Sequence, residues 1–401
     1  MTKYIDNNKN KGVEIDYKKV ENEFNKLKIP NDIFNPINIF KKRNVWNVLL
    51  SERSMGKTTN IILLGLVLNK IYGIIPQYVR RTKDMCMPKN IKNMMDVIIN
   101  FGYIKKLTDN RYNTMIYKAR RWYYANVDSD GKVLEISEKH CIMVLCLSES
   151  EMYKSTYNAP MGDMIIFDEF ITNKYYLDNE FILFCDLLKT ILRDRLSGRI
   201  FLLANTLNKH CPYFSELGIN KEVLKNRVGQ HFTKITDKGT SIYFEMLENG
   251  SKKNIIKRIS NSKYFGLENP MLNMITNGEW QIDNYPHPFF NNKNDTLITQ
   301  DIFIDFNTES VQCELYASST MGVYVIVHPY TFDRKIFNNT IIYTDEVKNE
   351  KNYKYGIPTG LFMKKIDRIF WNCYNNKAFY YSDNDVGDIV KNFVATFGKT
   401  R

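Results

Sequence analysis

Histidine, paired cysteines and long apolar runs are all scarce in this chain of 401 residues. Its five histidines stand far apart, and its seven cysteines (Cys86, Cys141, Cys146, Cys185, Cys211, Cys313, Cys373) are scattered, with no Cys-x-x-Cys pair among them. That excludes a structural zinc motif and a disulfide framework, and the cysteines read as reduced core thiols of a cytoplasmic protein. No apolar run reaches the roughly 18 residues that a membrane-spanning helix needs. Even Ile61 to Leu68 is stopped by Asn69-Lys70, and Met1 to Asp6 carries no secretion signal, so the expectation is a soluble protein. No internal repeat is evident. Acidic residues are also in deficit: 44 Asp and Glu against 56 Lys and Arg leave a net charge of +12. Such a field attracts polyanions, nucleic acid or an acidic membrane face, and charge alone does not choose between them.

What is present is a globular composition, 44% hydrophobic, 13% aromatic and 25% charged, over a length sufficient for two domains. Only the first residues, around Asn7 to Lys11, read as disordered. The organising stretch is Val45 to Thr59. An apolar strand-like run ends at Leu50, a small polar turn follows, and Gly56-Lys57-Thr58-Thr59 opens a helix rich in Ile and Leu. This is the layout of a phosphate-binding loop, in which backbone N–H groups wrap a β-phosphate, Lys57 reaches the β- and γ-oxygens and Thr58 ligates Mg²⁺. The pattern G-x-x-x-x-G-K-[ST] is broken at its first position, where Ser51 replaces glycine. By itself the match is weak, and the loop has to find its partners downstream.

Apolar runs alternate with helical patterns along the first 205 residues. Tyr17 to Leu27 reads as a helix, Gln77 to Arg81 as a strand delivering two arginines, Asn90 to Asn100 as a helix, and Arg111 to Val133 as a hairpin region with Asp130-Gly131 as its turn signal. Cys141 to Leu147 is a buried strand followed by a polar loop, Ser148 to Asn158. Met164 to Phe167 is another buried strand, Asn179 to Leu192 a helix, and Arg199 to Ala204 a strand ending at Asn205. The prediction is an α/β domain built on a parallel sheet, with polar residues collected at the strands' carboxyl ends, where such sheets bind ligands. It is assigned residues 1–250. A basic linker region over 251–297 carries Lys252, Lys253, Lys257, Arg258 and Lys263, with Pro286 and Pro288 marking its end. Residues 298–401 form a smaller α+β domain with a hairpin start at Val311 to Tyr316 and Gly322 to His328, and with helices near Thr359 to Cys373 and Val386 to Phe397.

Asp168-Glu169, directly after an apolar strand, supplies what the loop lacks on its own. Asp168 has the position of a Mg²⁺ ligand, Glu169 that of the group polarising an attacking water, and Asn205 that of a polar sensor for the γ-phosphate or the water. ATP and Mg²⁺ are the cofactors this reading requires.

Taken in order, Arg53 in the loop, Tyr78-Val79-Arg80-Arg81, Leu147-Ser148 to Lys154-Ser155, Ile165 to Phe170, Leu192 to Arg195 and Ala204-Asn205 resemble the DNA-packaging ATPases, or encapsidation proteins, of phi-29-type podoviruses, relatives of terminase large subunits. The resemblance runs from about Asn44 onward and thins through Val311 to Tyr316, Gly322 to Val327 and Ile342 to Asp345. It implies a P-loop NTPase domain of ASCE type followed by a ribonuclease H-like domain read as a vestigial nuclease. It further implies a homo-oligomeric ring, a pentamer, that moves double-stranded viral DNA into a procapsid through its portal in the host cytoplasm, with a packaging RNA left open as a further partner and no membrane involved. Residue by residue, Arg53 matches a nucleotide-sensing loop arginine. Lys154 and Arg193 match basic residues that reach a neighbouring subunit's nucleotide, with Arg195 a competitor for that role. Arg80 and Arg81 stay open between nucleotide base and DNA. Lys105, Lys106, Arg120 and Arg121 are candidate DNA contacts. Glu314, Asp345, Asp383, Asp385 and Asp388 are the carboxylates from which a two-metal nuclease would have to be built. Two alternatives remain: a terminase-like motor whose nuclease is active, and a non-hydrolysing nucleic-acid-binding protein.

Overall fold

The computed structural model describes residues 13–398 except 32, 52–54, 158, 160, 173–175, 194, 196, 206–210, 249–283, 289–293, 308 and 331–335. Arg53, the basic stretch from Lys252 to Lys263 and most of the 251–297 linker region therefore lie outside the described residues. The chain divides into two compact units.

The larger unit is built on a ten-stranded sheet in the order β3-β4-β6-β2-β7-β8-β1-β10-β9, with β5 on β4. The strands are β1 (Trp46–Ser51), β2 (Gln77–Arg80), β3 (Thr114–Lys118), β4 (Arg121–Val127), β5 (Val133–Ile136), β6 (Ile142–Cys146), β7 (Met164–Asp168), β8 (Arg199–Asn205), β9 (His231–Ile235) and β10 (Ser241–Met246). From β6 to β10 every neighbouring pair is parallel. β1, β6 and β7 are buried at every position, which is why their sequences are mostly apolar and not alternating, with Asn47 and the strand-end residues Ser51 and Asp168 as the polar exceptions. Strand β8 lies between β1, which leads toward Gly56-Lys57-Thr58, and β7, which ends in the carboxylate pair.

Helices α1 (Tyr17–Asn25), α2 (Ile37–Lys41), α3 (Lys57–Tyr72), α4 (Pro88–Asn100), α5 (Tyr103–Leu107), α6 (Ser150–Thr156) and α7 (Glu180–Leu192) belong to the same unit. Helix α3 is buried without interruption from Asn60 to Leu68, as its apolar circumference requires. It approaches the sheet closely at Gly65, where a Cβ atom would stand 2.5 Å from Pro76 Cγ and 3.3 Å from Met164 Sδ.

Several local readings change. The polar stretch expected as a loop from Ser148 is a 3₁₀ turn followed by helix α6, which carries Lys154 in its last turn. Glu151 at its amino end and the Glu151–Lys154 pair favour a helix, and the Tyr153 hydroxyl accepts the Cys146 N–H at 3.1 Å, tying the segment to β6. The first hairpin turns at Ala119 and Arg120, with φ of 49° and 60°, while Asp128 to Lys132 closes the next one. Neither residue at the first turn is the glycine or asparagine that normally signals such a turn. β9 and β10 complete the large sheet.

The smaller unit takes in α8 (Pro212–Glu216) and most of α9 (Asn220–Lys225). It is built on a six-stranded sheet in the order β15-β14-β11-β12-β13-β16. The strands are β11 (Thr296–Phe306), β12 (Glu309–Ser318), β13 (Gly322–Pro329), β14 (Ile341–Thr344), β15 (Tyr353–Tyr355) and β16 (Phe379–Tyr381), covered by α10 (Lys365–Asn375) and α11 (Asn384–Phe397). The expected hairpin is β12–β13, and the long β11 beside it, absent from the sequence-based expectation, pairs antiparallel with β12 and parallel with β14. All seven cysteines are free, and only Cys185 is not fully buried. No helix among the described residues is long and apolar enough to cross a membrane.

Gly65 gives a test of the sheet–helix contact. Alanine should gain about 1 kcal/mol of helix propensity yet lose about 1–3 kcal/mol to overpacking against Pro76. Urea unfolding of Gly65→Ala should show an earlier transition for the larger unit, whereas a midpoint at or above wild type would show that Pro76 yields.

Candidate active site

The carboxyl ends of the parallel strands share one rim, and the register sets which residues meet there. Ser51 is the last residue of β1 and pairs with Asn205, the last of β8, while Asp168 at the end of β7 pairs with Leu203. Ser51 is thus a strand residue and needs none of the freedom of the glycine it replaces. Gly56 does need it: it caps α3 at φ 73° and ψ 8°, and a Cβ there would stand 2.4 Å from Ile33 Cγ2.

Lys57 opens α3 with a side chain only 7% exposed. Its Nζ donates to Ser51 Oγ at 3.0 Å and to Asn205 Oδ1 at 3.3 Å. Burial pushes its pKa down from 10.5 to about 8, against the opposing pull of Asp168 and Glu169. Thr58 Oγ1 donates to Asp168 Oδ1 at 3.0 Å. Thr59 is half-buried in the same first turn. Ser51, Gly56, Lys57, Thr58, Asp168 and Asn205 are therefore brought together.

The two arginines that close the β2 region complete the group. Arg80 Nη1 donates to Asp168 Oδ2 at 3.1 Å, and its Nη2 to Glu169 Oε2 at 2.6 Å. Tyr78, two residues earlier, also donates its hydroxyl to Asp168 Oδ2, at 2.7 Å. Burial, and then the charge of Asp168, push the Tyr78 pKa well up, so its proton stays in place. Arg81 is 4% exposed; it donates to both oxygens of Glu180 at 2.7 and 3.0 Å, to Glu169 O at 3.1 Å and to Phe170 O at 2.6 Å. Glu169 takes a left-handed φ of 59°, with its carbonyl held by Arg81 and its carboxylate by Arg80. Of the two arginines left open between nucleotide base and DNA, Arg80 is held by Asp168 and Glu169 and Arg81 by Glu180. A signal was available, two cations ending one strand and two acids ending another, but the adjacency of β2 and β7 was not.

The other candidates stand apart. Lys154 is exposed and pairs with Glu151 at 2.7 Å and Asp186 at 3.4 Å. Arg193 caps the end of α7 in the open, with Nη2 donating to Tyr157 O at 3.2 Å. Arg195 is held by Asp163 Oδ1 at 3.1 Å and Ile191 O at 2.7 Å. Among the described residues no hydrogen bond or ion pair links these three to the Lys57–Asp168 group. Of the DNA-contact candidates, Lys105 is exposed and Arg121 half-buried. Lys106 donates to Leu27 O at 2.7 Å, and Arg120 is engaged by Glu149 at 2.5 Å and the Tyr153 hydroxyl at 2.7 Å.

In the smaller unit the carboxylates are used separately. Glu314 accepts the Tyr316 hydroxyl at 2.9 Å and faces His328 at 3.4 Å, which with the hydroxyl lowers its pKa. Asp345 accepts the Asn307 N–H at 2.8 Å, and burial raises its pKa. Asp388 accepts the Tyr285 hydroxyl at 2.6 Å, Asp383 caps α11 through the Val386 N–H at 2.8 Å, and Asp385 is exposed. Among the described residues no three His, Cys, Asp or Glu side chains converge as a metal site.

Against known proteins, the sequence profile of the podovirus DNA encapsidation protein (Gp16) family matches residues 31–266. No curated protein matches the sequence. Of solved structures, the phi-28 gp11 DNA packaging motor is similar over 93% of this chain and 100% of its own, at 15% identity and a TM-score of 0.53, a likeness of fold. The bacteriophage phi-29 viral genome packaging motor assembly matches over 89% and 97%, at 18% identity and a TM-score of 0.49. The N-terminal domain of the DNA packaging ATPase from bacteriophage phi29 matches over 54% and 97%, at 23% identity and a TM-score of 0.40.

The buried lysine has a stability signature. Its folded pKa of about 8 lies below the ordinary 10.5, so between those values the unfolded chain holds more protons and stability rises with pH. Below about pH 8 both states are protonated and the full cost applies, about 3 kcal/mol at 1.36 kcal/mol per unit. Lys57→Met should therefore be more stable than wild type at pH 7, with the gap closing toward pH 10.5. Paired urea unfolding curves at the two pH values test this, and a gap that does not shrink would contradict it.

Proposed function

The chain belongs to the podovirus DNA encapsidation protein (Gp16) family, and on that footing we propose that it is a motor ATPase coupling ATP hydrolysis to movement of double-stranded viral DNA into a procapsid. The observation that carries this reading is the group of Lys57, Thr58, Asp168, Glu169 and Asn205 on one rim of the sheet. A lysine buried on two neutral oxygens is poised to exchange them for phosphate oxygens, whose charge offsets the desolvation that depresses its pKa. Thr58 Oγ1 and Asp168 Oδ1, hard oxygens 3.0 Å apart, fit the Mg²⁺ that neutralises β- and γ-phosphate charge when bound.

Glu169 is the proposed general base. Its carboxylate is held by Arg80, so it acts after trading that ion pair for a water proton. The water oxygen then bonds to the γ-phosphorus, its proton passes to Glu169, and the bond to the bridging oxygen breaks, with Lys57 stabilising charge on the departing diphosphate. Arg193, open to solvent at the end of α7, is better suited than Arg195 to serve a neighbouring subunit, because Arg195 is occupied by Asp163. Lys154 needs only to leave the exposed Glu151 and the half-buried Asp186, contacts worth little near a surface. Arg53 completes the proposed set as a nucleotide sensor. The ring, as a pentamer, would dock on the portal, with or without a packaging RNA. The smaller domain, whose carboxylates are separately engaged, would serve in docking and DNA contact without cutting.

DNA-stimulated ATP hydrolysis with plasmid present tests the reading. Lys57→Ala should abolish nucleotide binding, while Glu169→Gln should keep binding and lower kcat by about 10²–10⁴-fold, the range for a general base. Nicking that depends on Asp345 or Glu314 would instead identify an active nuclease, and no hydrolysis by wild type with DNA would overturn the motor. Arg193→Ala should act in trans: titrated into wild type, it should depress activity more than in proportion to its share, and strictly proportional loss would remove it from the neighbour's site.

A further inference from the structure

We propose that Tyr78 is the positioning residue that decides which oxygen of Asp168 is presented to the metal. This rests on the reading of Asp168 as a Mg²⁺ ligand. Tyr78 is 2% exposed, on the central strand β2, and its ring packs in the core shared with α3, which leaves the hydroxyl little freedom. That hydroxyl donates to Asp168 Oδ2 at 2.7 Å, while the other oxygen, Oδ1, receives Thr58 Oγ1 at 3.0 Å. The two donors lie on opposite ends of the carboxylate, so together they fix its rotation and leave Oδ1 on the Thr58 side. Arg80 Nη1 also reaches Oδ2, at 3.1 Å, and the Tyr78 hydroxyl, at 3.3 Å, but Arg80 is shared with Glu169 and is the contact that has to loosen when Glu169 takes a proton. Tyr78 has no such second duty toward Glu169. A phenol anchored in an apolar core thus keeps Asp168 aimed at the metal when its cationic neighbour moves.

Outer partners of this kind typically contribute 10- to 100-fold in metal affinity. Replacing Tyr78 with phenylalanine removes the hydroxyl and keeps the ring. Binding of a fluorescent ATP analogue to the full-length protein should be followed in EDTA and against Mg²⁺ concentration. For Tyr78→Phe the half-saturating Mg²⁺ should rise about tenfold or more, with binding in EDTA within about twofold of wild type. Hydrolysis should recover near-normal kcat at high Mg²⁺. Incorporating 3-fluorotyrosine at position 78, which restores a hydroxyl, should restore the wild-type Mg²⁺ curve. Superimposable Mg²⁺ curves for wild type and Tyr78→Phe would overturn the proposal, and so would equal weakening in EDTA, which marks a merely structural loss. Failure of the underlying reading looks different: wild type would then bind the analogue equally well with and without Mg²⁺, or Lys57→Ala would bind it as wild type does.

Discussion

The arrangement depends on keeping one lysine charged in a place that disfavours charge. Lys57 is buried at the start of α3, and among the described residues its ammonium donates hydrogen bonds to the neutral oxygens of Ser51 and Asn205. The carboxylates that would neutralise it act from further off and lose to desolvation. That imbalance is a defect in a stability ledger and, on the proposed function, an asset, since the missing counter-charge is what a phosphate would bring. Around it the chain spends its other charges on one another: Arg80 on Asp168 and Glu169, Arg81 on Glu180.

The pairing of opposite charges gives the rim its rigidity. Arg81, buried, joins the end of β2 through its side chain to the backbone after β7 and to the first turn of α7. It holds Glu169 in a backbone conformation uncommon for a non-glycine residue. This uncommon backbone conformation falls on the residue proposed as the general base. The same helix, α7, is bounded by two further non-glycine residues at positive φ, Asn179 and Arg193, both exposed.

Much of this was legible beforehand because it is written in local chemistry. Apolar runs ending in Asp168-Glu169 and Asn205, and Gly56-Lys57-Thr58 opening an apolar helix, identify strand ends and a loop wherever the chain goes. The misreadings have physical causes as well. Helix α6 is polar because much of it lies at the surface, so its composition imitates a loop, and its bonds to β6, Arg120 and α7 reveal its place. The turn at Ala119-Arg120 lacks turn residues, since strand pairing and the Arg120–Glu149 contact hold it.

Ser51 marks the boundary between the two kinds of information. As a letter in a motif it stood for a missing glycine; as the last residue of β1 it is extended and offers a hydroxyl to Lys57. The amino-acid sequence by itself determined the parallel sheet, the loop and the acids at strand ends, because burial on both faces and turn chemistry act over a few residues. Only the tertiary structure decided which strands are neighbours. With that came the partners of Arg80, Arg81 and Tyr78, because ion pairs and hydrogen bonds act over about 3 Å between residues some 90 positions apart in the chain.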